Sequence, residues 1–309
     1  MRRSLVTGGA GFIGSHLAEA LLERGDRVRI FDNFSTGRVE NLTGLKDRVE
    51  IVEGDVRDRA AVEAAMQGVD LVFHHAAFIS VPLSIEHPQD CFDANVQGTV
   101  HVLEAARAAG VAKVVLASSA AVYGDALEMP ISETAQACPN SPYAASKQMN
   151  EILAGVYTRA YQLPVVALRY FNVYGPRQSP DSAYAAAIPI FIRNLLDRQP
   201  PVVYGDGGQS RDFIFVRDVV SANLTVSESG QADGSIYNIC TGRAVDLMDL
   251  LGRLEEIIPT GLQPHFEPPR VGDIYQSVGD ARCINKELGF RAQTGLLDGL
   301  RETVEWMQL

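Results

Sequence analysis

The sequence predicts an α/β protein built on a doubly wound parallel sheet, with a smaller C-terminal domain beside it. Three observations carry that expectation. Short apolar runs alternate with helix-length amphipathic stretches through the first half of the chain, and strands joined by crossovers of that length run parallel. A glycine-rich turn separates the first strand from the first helix. The strand segments are apolar and β-branched, as in a sheet covered on both faces.

"SLVTG" reads as a buried strand and "IGSHLAEALLERG" as an amphipathic helix ended by a capping glycine. "RVRIFDN" and "RVEIVEGDV" supply two further strands, and "RAAVEAAMQG" a helix. Next come the strand "DLVFHHAA", the helix "NVQGTVHVLEAARAAG" and the strand "KVVLASSA". The helix "SPYAASKQMNEILAGVYTRAY" and the strand "PVVALRYFNVYG" complete a Rossmann-type succession. Residues 1–170 are therefore expected to form a dinucleotide-binding domain, rejoined by the chain around 212–240. Beyond residue 171 prolines and glycines thicken, as in "YGPRQSPDSAYAAAIP" and "RQPPVVYGDGGQSRDF", with helices such as "VDLMDLLGRLEEII" between. Residues 171–309 are expected to be mainly a substrate-binding domain.

The 309 residues are 46% hydrophobic and 21% charged, as in soluble globular proteins. A formal charge of −11 argues against nucleic-acid and anionic-membrane partners, both of which reward a basic surface. Cys91, Cys138, Cys240 and Cys283 are scattered, with no C-x-x-C pair and no metal-ligand spacing, so a reducing compartment and no metal are expected. No stretch approaches the ~18 apolar residues of a membrane span, and "MRRSLVTGGAGFIG" lacks the apolar run of a signal peptide. The expectation is a cytoplasmic protein.

In "VTGGAGFIGSHL", Gly8, Gly11 and Gly14 lie between strand and helix. One glycine permits the tight turn, one lets a diphosphate approach the backbone, and one lets helix and strand pack closely; the helix N-terminus adds free N–H groups. Asp32 follows Gly14 by eighteen residues at a strand end. A carboxylate there accepts hydrogen bonds from ribose hydroxyls and repels a 2′-phosphate, which favours NAD over NADP. The alternative is a plain turn residue. Asp55 and Val56 in "GDVRD" fit an adenine contact, although aspartate at strand ends is common.

Tyr143 and Lys147 are spaced i, i+4 and share a helix face. Tyrosine ionises near ~10, and a nearby cation lowers that value toward a usable base. Such a pair also arises by accident. Ser118 and Ser119, however, end a strand whose carboxyl end should open onto the cofactor crevice. A serine there can hydrogen-bond the oxygen the tyrosine deprotonates; otherwise it is a strand-end cap. His74 and His75 alternate faces, so a shared metal is not expected and cofactor-side packing is.

Glycine loop, Asp32, strand-end serines and Y-x-x-x-K, in this order, resemble the extended short-chain dehydrogenase/reductases, and within them the NAD-dependent nucleotide-sugar epimerase/dehydratase family. The resemblance spans nearly the whole chain: "TGGAGFIGSH", "FDNFSTG", "GDVRD", "FHHAA", "NVQGT", "SSAAVYG", "SPYAASK", "RYFNVYGPRQ", "GDGGQSRDFIFVRDV", "YNICTG" and "RVGD". For NAD it implies contacts from Gly8, Gly11, Phe12, Ile13 and Gly14. It adds Asp32, Asn33, Ser35, Thr36 and Gly37 around the second strand, with Asp55 and Val56 after the third. Further contacts are implied from His75, Ala76, Ala77, Asn95, Ser118, Tyr143, Lys147 and Tyr170. One departure is Ile79, where the family carries a cofactor-side lysine.

Family 4,6-dehydratases carry an Asp-Glu pair, and decarboxylases a glutamate, where this chain has Ala120 and Ala121. The resemblance therefore implies a UDP-hexose 4-epimerase, with Tyr143 as base, Lys147 as its cation and Ser119 orienting the sugar oxygen. It maps Asn172 and Arg211 onto the nucleotide diphosphate, and Arg270 and Asp273 onto phosphate and uridine ribose. Without the resemblance either arginine is equally a surface ion pair; Arg177 is a weaker candidate. Ser277, small at the family's gate position, implies a pocket admitting UDP-GlcNAc/UDP-GalNAc beside UDP-Glc/UDP-Gal, and "SAYAAAIP" and "SVPLS" point the same way. A homodimer through helices 95–110 and 143–160 is also implied. The rival readings are another nucleotide-sugar enzyme, such as a UDP-glucuronate decarboxylase or 4-epimerase or a net ketoreductase, and a non-catalytic NAD-binding regulator.

Overall fold

A computed structural model describes every residue except 127, 181–185 and 270–273. The chain opens with β1 (Arg3–Thr7), α1 (Phe12–Glu23) and β2 (Arg27–Asp32), followed by β3 (Val49–Glu53), α2 (Arg59–Ala65) and β4 (Leu71–His74). Two short helices, α3 (Val81–Glu86) and α4 (Pro88–Phe92), lead through a π-helical turn at Asp93–Gln97 into α5 (Gly98–Ala109). Then come β5 (Lys113–Ser119), α6 (Pro142–Tyr161) and β6 (Val165–Tyr170).

The second half holds β7 (Asn172–Tyr174), α7 (Ala187–Leu196), β8 (Val202–Tyr204), β9 (Ser210–Arg211) and β10 (Phe213–Phe215). It continues with α8 (Val216–Glu228), β11 (Ile236–Ile239), β12 (Val245–Asp246), α9 (Leu247–Ile257), β13 (His265–Glu267), β14 (Gln276–Ser277), α10 (Arg282–Leu288) and α11 (Leu296–Met307).

Seven strands form one sheet in the order β11-β6-β5-β4-β1-β2-β3, and all six adjacent pairs are parallel. This is the Rossmann-type doubly wound sheet. The chain reverses its direction of travel between β1 and β4, and a crevice opens beyond the carboxyl ends of those strands. One face of the sheet packs on α1 and α8 through Leu17, Phe73, Val115 and Val219. The other packs on α2, α5 and α6 through Val62, Val72, Val102 and Ala154. Burying an aliphatic side chain of this kind stabilises by about 1.5–3 kcal/mol.

Three departures from the sequence reading have clear causes. β3 is an edge strand, and Ile51 is 40% exposed; alternate charged residues suit a rim that must not pair with another chain. The helix expected from residue 95 starts earlier and carries a π-turn. The segment "PVVALRYFNVYG" is two strands rather than one, because Asn172–Tyr174 leaves the main sheet to pair with Phe213–Phe215. Through that break the chain crosses to the smaller layer, where β12-β9-β14 and β8-β13 form two further small sheets. Among the described residues no helix is long and apolar enough to cross a membrane.

Candidate active site

The glycine loop is a backbone device. Gly8 has φ +69°, and a Cβ there would lie 2.6 Å from the Ala76 nitrogen; one on Gly14 would lie 2.2 Å from the Gly8 carbonyl oxygen. Strand, turn and helix therefore approach at distances only glycine permits. Gly11 caps α1 without a side chain, leaving first-turn N–H groups directed at the crevice. A close-packed turn that ends on free first-turn N–H groups fits a diphosphate.

Asp32 is buried, and its carboxylate is aimed by two backbone donors, Ala10 N–H and Phe34 N–H, each at 2.9 Å. Two donors leave acceptor capacity on the carboxylate oxygens for ribose hydroxyls. Gly37 packs against it, since a Cβ there would meet the carboxylate at 2.8 Å. Asn33, Ser35 and Thr36 line the exposed side of this turn. The Asn33 amide donates to Asp55 at 2.8 Å, and the Arg57 guanidinium holds the Asp55 carboxyl well below the usual carboxylate range. Val56 is buried against Gly98, while Phe12 and Ile13 occupy the first turn of α1.

The two adjacent histidines part company across the sheet. On the α5 side, His74 Nδ1 lies 2.7 Å from Thr7 Oγ1 and its Nε2 3.0 Å from Thr99 Oγ1. Thr99 donates its own proton to the Asn95 carbonyl, so Nε2 carries the ring hydrogen and Nδ1 accepts. Burial, with the Lys147 charge second, lowers His74 to about 3 and His75 to about 4. Both rings are neutral near pH 7. His75 stacks on Tyr170 with centroids 6.0 Å apart, and its buried Nε2 has no partner among the described residues. An orphaned polar atom there fits a site completed by a ligand. Only His75 lies on the face of Tyr170; His74, also expected to pack toward the cofactor, is instead a satisfied link between β1, β4 and α5.

At the end of β5 the pleat separates the two serines. Ser118 turns toward α6 and donates to Glu151 at 2.6 Å, so its hydroxyl is committed away from the crevice. Ser119 lies beside Tyr143, whose phenol its hydroxyl draws back toward the ordinary value, and it accepts from Ala121 N–H at 3.2 Å.

Local sequence explains why α6 begins where it does. Ser141 caps it by accepting from Ala144 N–H, and Pro142 supplies a preset first residue. The Tyr143 N–H, one of the orphan donors of a helix start, is taken by Ser84 of α3 at 3.1 Å. Asn95 receives Phe78 N–H and donates to Phe78 O and to Ser146 Oγ, and Ser146 in turn donates to Tyr143 O. Asn95 thus ties the segment after β4, which carries Ala76 and Ala77, to the first turn of α6. Nothing in the sequence distinguished Ser84 or Ser146 from ordinary helix serines.

The Lys147 ammonium donates to Ala117 O at 2.9 Å and lies 5.8 Å from the Tyr143 ring centroid. Burial lowers Lys147 to about 8. Burial also pushes the Tyr143 phenol above its ordinary value, offset only in part by Ser119. The expected lowering of Tyr143 by Lys147 is therefore absent in this state: the ammonium sits on a strand carbonyl and over the ring.

On the substrate side, Asn172 and Arg211 line a cleft of about 390 Å³ with Phe191, Gln209, Phe213 and Leu247. Apolar walls with a few convergent polar groups are usual for a small-molecule site. Arg211 donates to Ser210 O and Tyr275 O. Ser277 is buried directly beside it, in register across β9 and β14. Arg177 instead pairs with Glu19 on α1 at 2.8 Å. Arg270 and Asp273 lie outside the described residues, as does the first half of "SAYAAAIP".

Residues 4–240 match the NAD dependent epimerase/dehydratase family. A UDP-glucose 4-epimerase of Mycolicibacterium smegmatis is 39% identical, over 99% of this chain and 98% of its own. A UDP-N-acetyl-α-D-glucosaminuronate decarboxylase of Bacillus cytotoxicus is 34% identical over the same shares. The solved UDP-N-acetylglucosamine 4-epimerase of Methanobrevibacter ruminantium, in complex with UDP-N-acetylmuramic acid, superposes with a TM-score of 0.95 at 37% identity, over 99% of this chain and 98% of that one. The chain belongs to the NAD-dependent epimerase/dehydratase family of nucleotide-sugar enzymes.

Proposed function

We propose that this enzyme inverts C4 of a UDP-hexose through a transient 4-keto sugar. The observation that carries this reading is the pair Ala120–Ala121, in the turn directly after Ser119. A carboxyl group at that place would serve elimination or decarboxylation, and methyl groups leave only reversible oxidation.

Bound in this cradle, NAD would supply a reversible hydride acceptor for C4 and a positive charge on its oxidised ring. The protein does the rest. Asp32 and the glycine loop hold the adenosine and diphosphate ends. Ser119 orients the sugar 4-hydroxyl, and Tyr143 removes its proton and later restores it to the other epimer. General acid-base transfer of this kind contributes roughly 10²–10⁴-fold. Burial keeps Tyr143 protonated until positive charge enters the crevice, and Lys147 is the cation this chain itself contributes.

Arg211 and Asn172 hold the diphosphate, and Arg270 and Asp273 the phosphate and uridine ribose; a planar guanidinium suits phosphate oxygens and offsets the repulsion of a chain with net charge −11. Residues 171–309 form most of this substrate side. The small Ser277 admits UDP-GlcNAc/UDP-GalNAc beside UDP-Glc/UDP-Gal. Similarity to a UDP-glucuronic acid decarboxylase keeps UDP-glucuronate as the rival substrate. Purified protein incubated with UDP-Glc, UDP-GlcNAc and UDP-glucuronate decides between them: C4 epimers of the first two are expected. Release of CO₂ from the third, with no epimer from any, would falsify the proposal.

We also propose a homodimer. Met149, Ile152 and Val156 are 43%, 60% and 38% exposed along one face of α6, an apolar face suited to a four-helix contact with α5 and α6 of a second copy. Light scattering should give twice the 33.5 kDa chain mass; a monomer at micromolar concentration excludes it.

A further inference from the structure

Tyr143, Lys147 and Glu151 lie at successive i, i+4 positions of α6, so the face that carries the catalytic couple continues into a buried carboxylate. Three consecutive residues of β5 dock on this face: Ala117 O receives the Lys147 ammonium, Ser118 donates to Glu151, and Ser119 lies beside Tyr143. Glu151 is clamped from the far side by Arg169 of β6, with Nε–Oε1 at 2.8 Å and Nη2–Oε2 at 2.7 Å. Both side chains are nearly inaccessible, at 4% and 6%. Arg169 is held in turn by Tyr123 Oη at 2.8 Å and Glu133 O at 3.2 Å, and Tyr123 donates to Asn238 of β11. Two charges and six hydrogen bonds are thus sunk behind the site, almost out of reach of solvent.

The groups facing Lys147 show what this carboxylate can do. From α4 comes Cys91, whose thiol burial raises above its ordinary value, so it is uncharged near neutrality. From β4 come His74 and His75, both neutral there. Tyr143 is a neutral phenol before ligands enter, and Arg169 is a cation already engaged by Glu151. Among the described groups around the ammonium, Glu151 supplies the negative charge.

We propose that Glu151, clamped by Arg169, is a positioning residue: it locks the end of β5 onto α6 and keeps the buried Lys147 side chain charged beside Tyr143. The role rests on the reading that Tyr143 and Lys147 perform the chemistry, yet the lysine titration that tests its charge needs no substrate.

The chain has four lysines, Lys46, Lys113, Lys147 and Lys286. Protein labelled with ¹³C at lysine and loaded with NAD can therefore be titrated by NMR, with Lys147 assigned by its loss in Lys147→Met. In Glu151→Gln the Lys147 midpoint should fall by about one pH unit, the low end of the effect of an opposite charge at close range. Because a guanidinium left unpaired in the core can unfold the protein, Glu151→Leu/Arg169→Met removes both charges together, and a smaller fall in the same direction is expected, since the Arg169 cation goes with the carboxylate. The turnover number should drop about tenfold with KM little changed, as for loss of an aligned proton-transfer group. A wild-type Lys147 midpoint in a folded variant overturns the electrostatic role, and wild-type turnover overturns the positioning role. Absence of turnover in the parent enzyme overturns only the functional reading, since the lysine titration still decides the charge.

Discussion

The cofactor cradle and the Tyr143 site lie along the same sheet edge but are built by different means. The cradle is local and made of backbone: Gly8, Gly11 and Gly14 fall within seven residues, and what matters is the absence of Cβ atoms. The Tyr143 site is assembled from α3, β5, α6 and β6, and what matters is which buried groups carry charge. The first is limited by steric room, the second by electrostatics. Mutations should therefore fail in different currencies: ligand retention and stability in one, turnover without loss of fold in the other.

Tyr143→Phe is the strongest way to break that contrast. It should cut turnover by roughly 10²–10⁴-fold while leaving bound NAD and the unfolding midpoint near the parent values. Full activity would remove Tyr143 as the base, and loss of NAD would show that the two sites are one. Gly14→Ala is the counterpart. Its Cβ meets the Gly8 carbonyl oxygen at 2.2 Å, so about 1–3 kcal/mol of stability should be lost to overpacking, together with NAD retention. Calorimetry and the absorbance of released cofactor check both.

The smallest effect is graded by pH. His74 is held neutral in the fold, at about 3, against about 6.5 in an unfolded chain. Between those values the unfolded state binds the extra proton, so folding stability falls as pH falls from 6.5 toward 3. The slope for one such group is about 1.4 kcal/mol per pH unit. Urea midpoints measured from pH 7 to pH 4.5 should show it, and His74→Gln should lower the slope by about that one-group amount, with His75 and His16, each lowered to about 4, supplying the remainder. An unchanged slope would remove His74 as the cause.

Much of the architecture was legible because it is periodic or local. The strand-helix alternation, the glycine turn and the i, i+4 spacing of Tyr143 and Lys147 depend on neighbours a few residues away, and the doubly wound sheet follows. The break after Tyr170 was not legible: "RYFNVYG" is uniformly strand-like, and only pairing with Phe213–Phe215, some forty residues on, draws Asn172–Tyr174 out of the main sheet. Ser118 and Ser119 looked alike until the pleat sent one toward Glu151 and the other toward Tyr143. Asn95 read as one more cofactor contact, and its amide also joins Phe78, 17 residues before it, to Ser146, 51 residues after it.

By itself, then, the sequence determined the layer order, the cofactor loop and the candidate base, since each is encoded in short-range patterns of size, polarity and spacing. Tertiary structure alone decided protonation and orientation. Whether Lys147 stays charged, whether His74 is satisfied, and whether Tyr143 sits above or below its ordinary pKa depend on burial and on partners distant in sequence, because desolvation and Coulomb terms act through space and not along the chain.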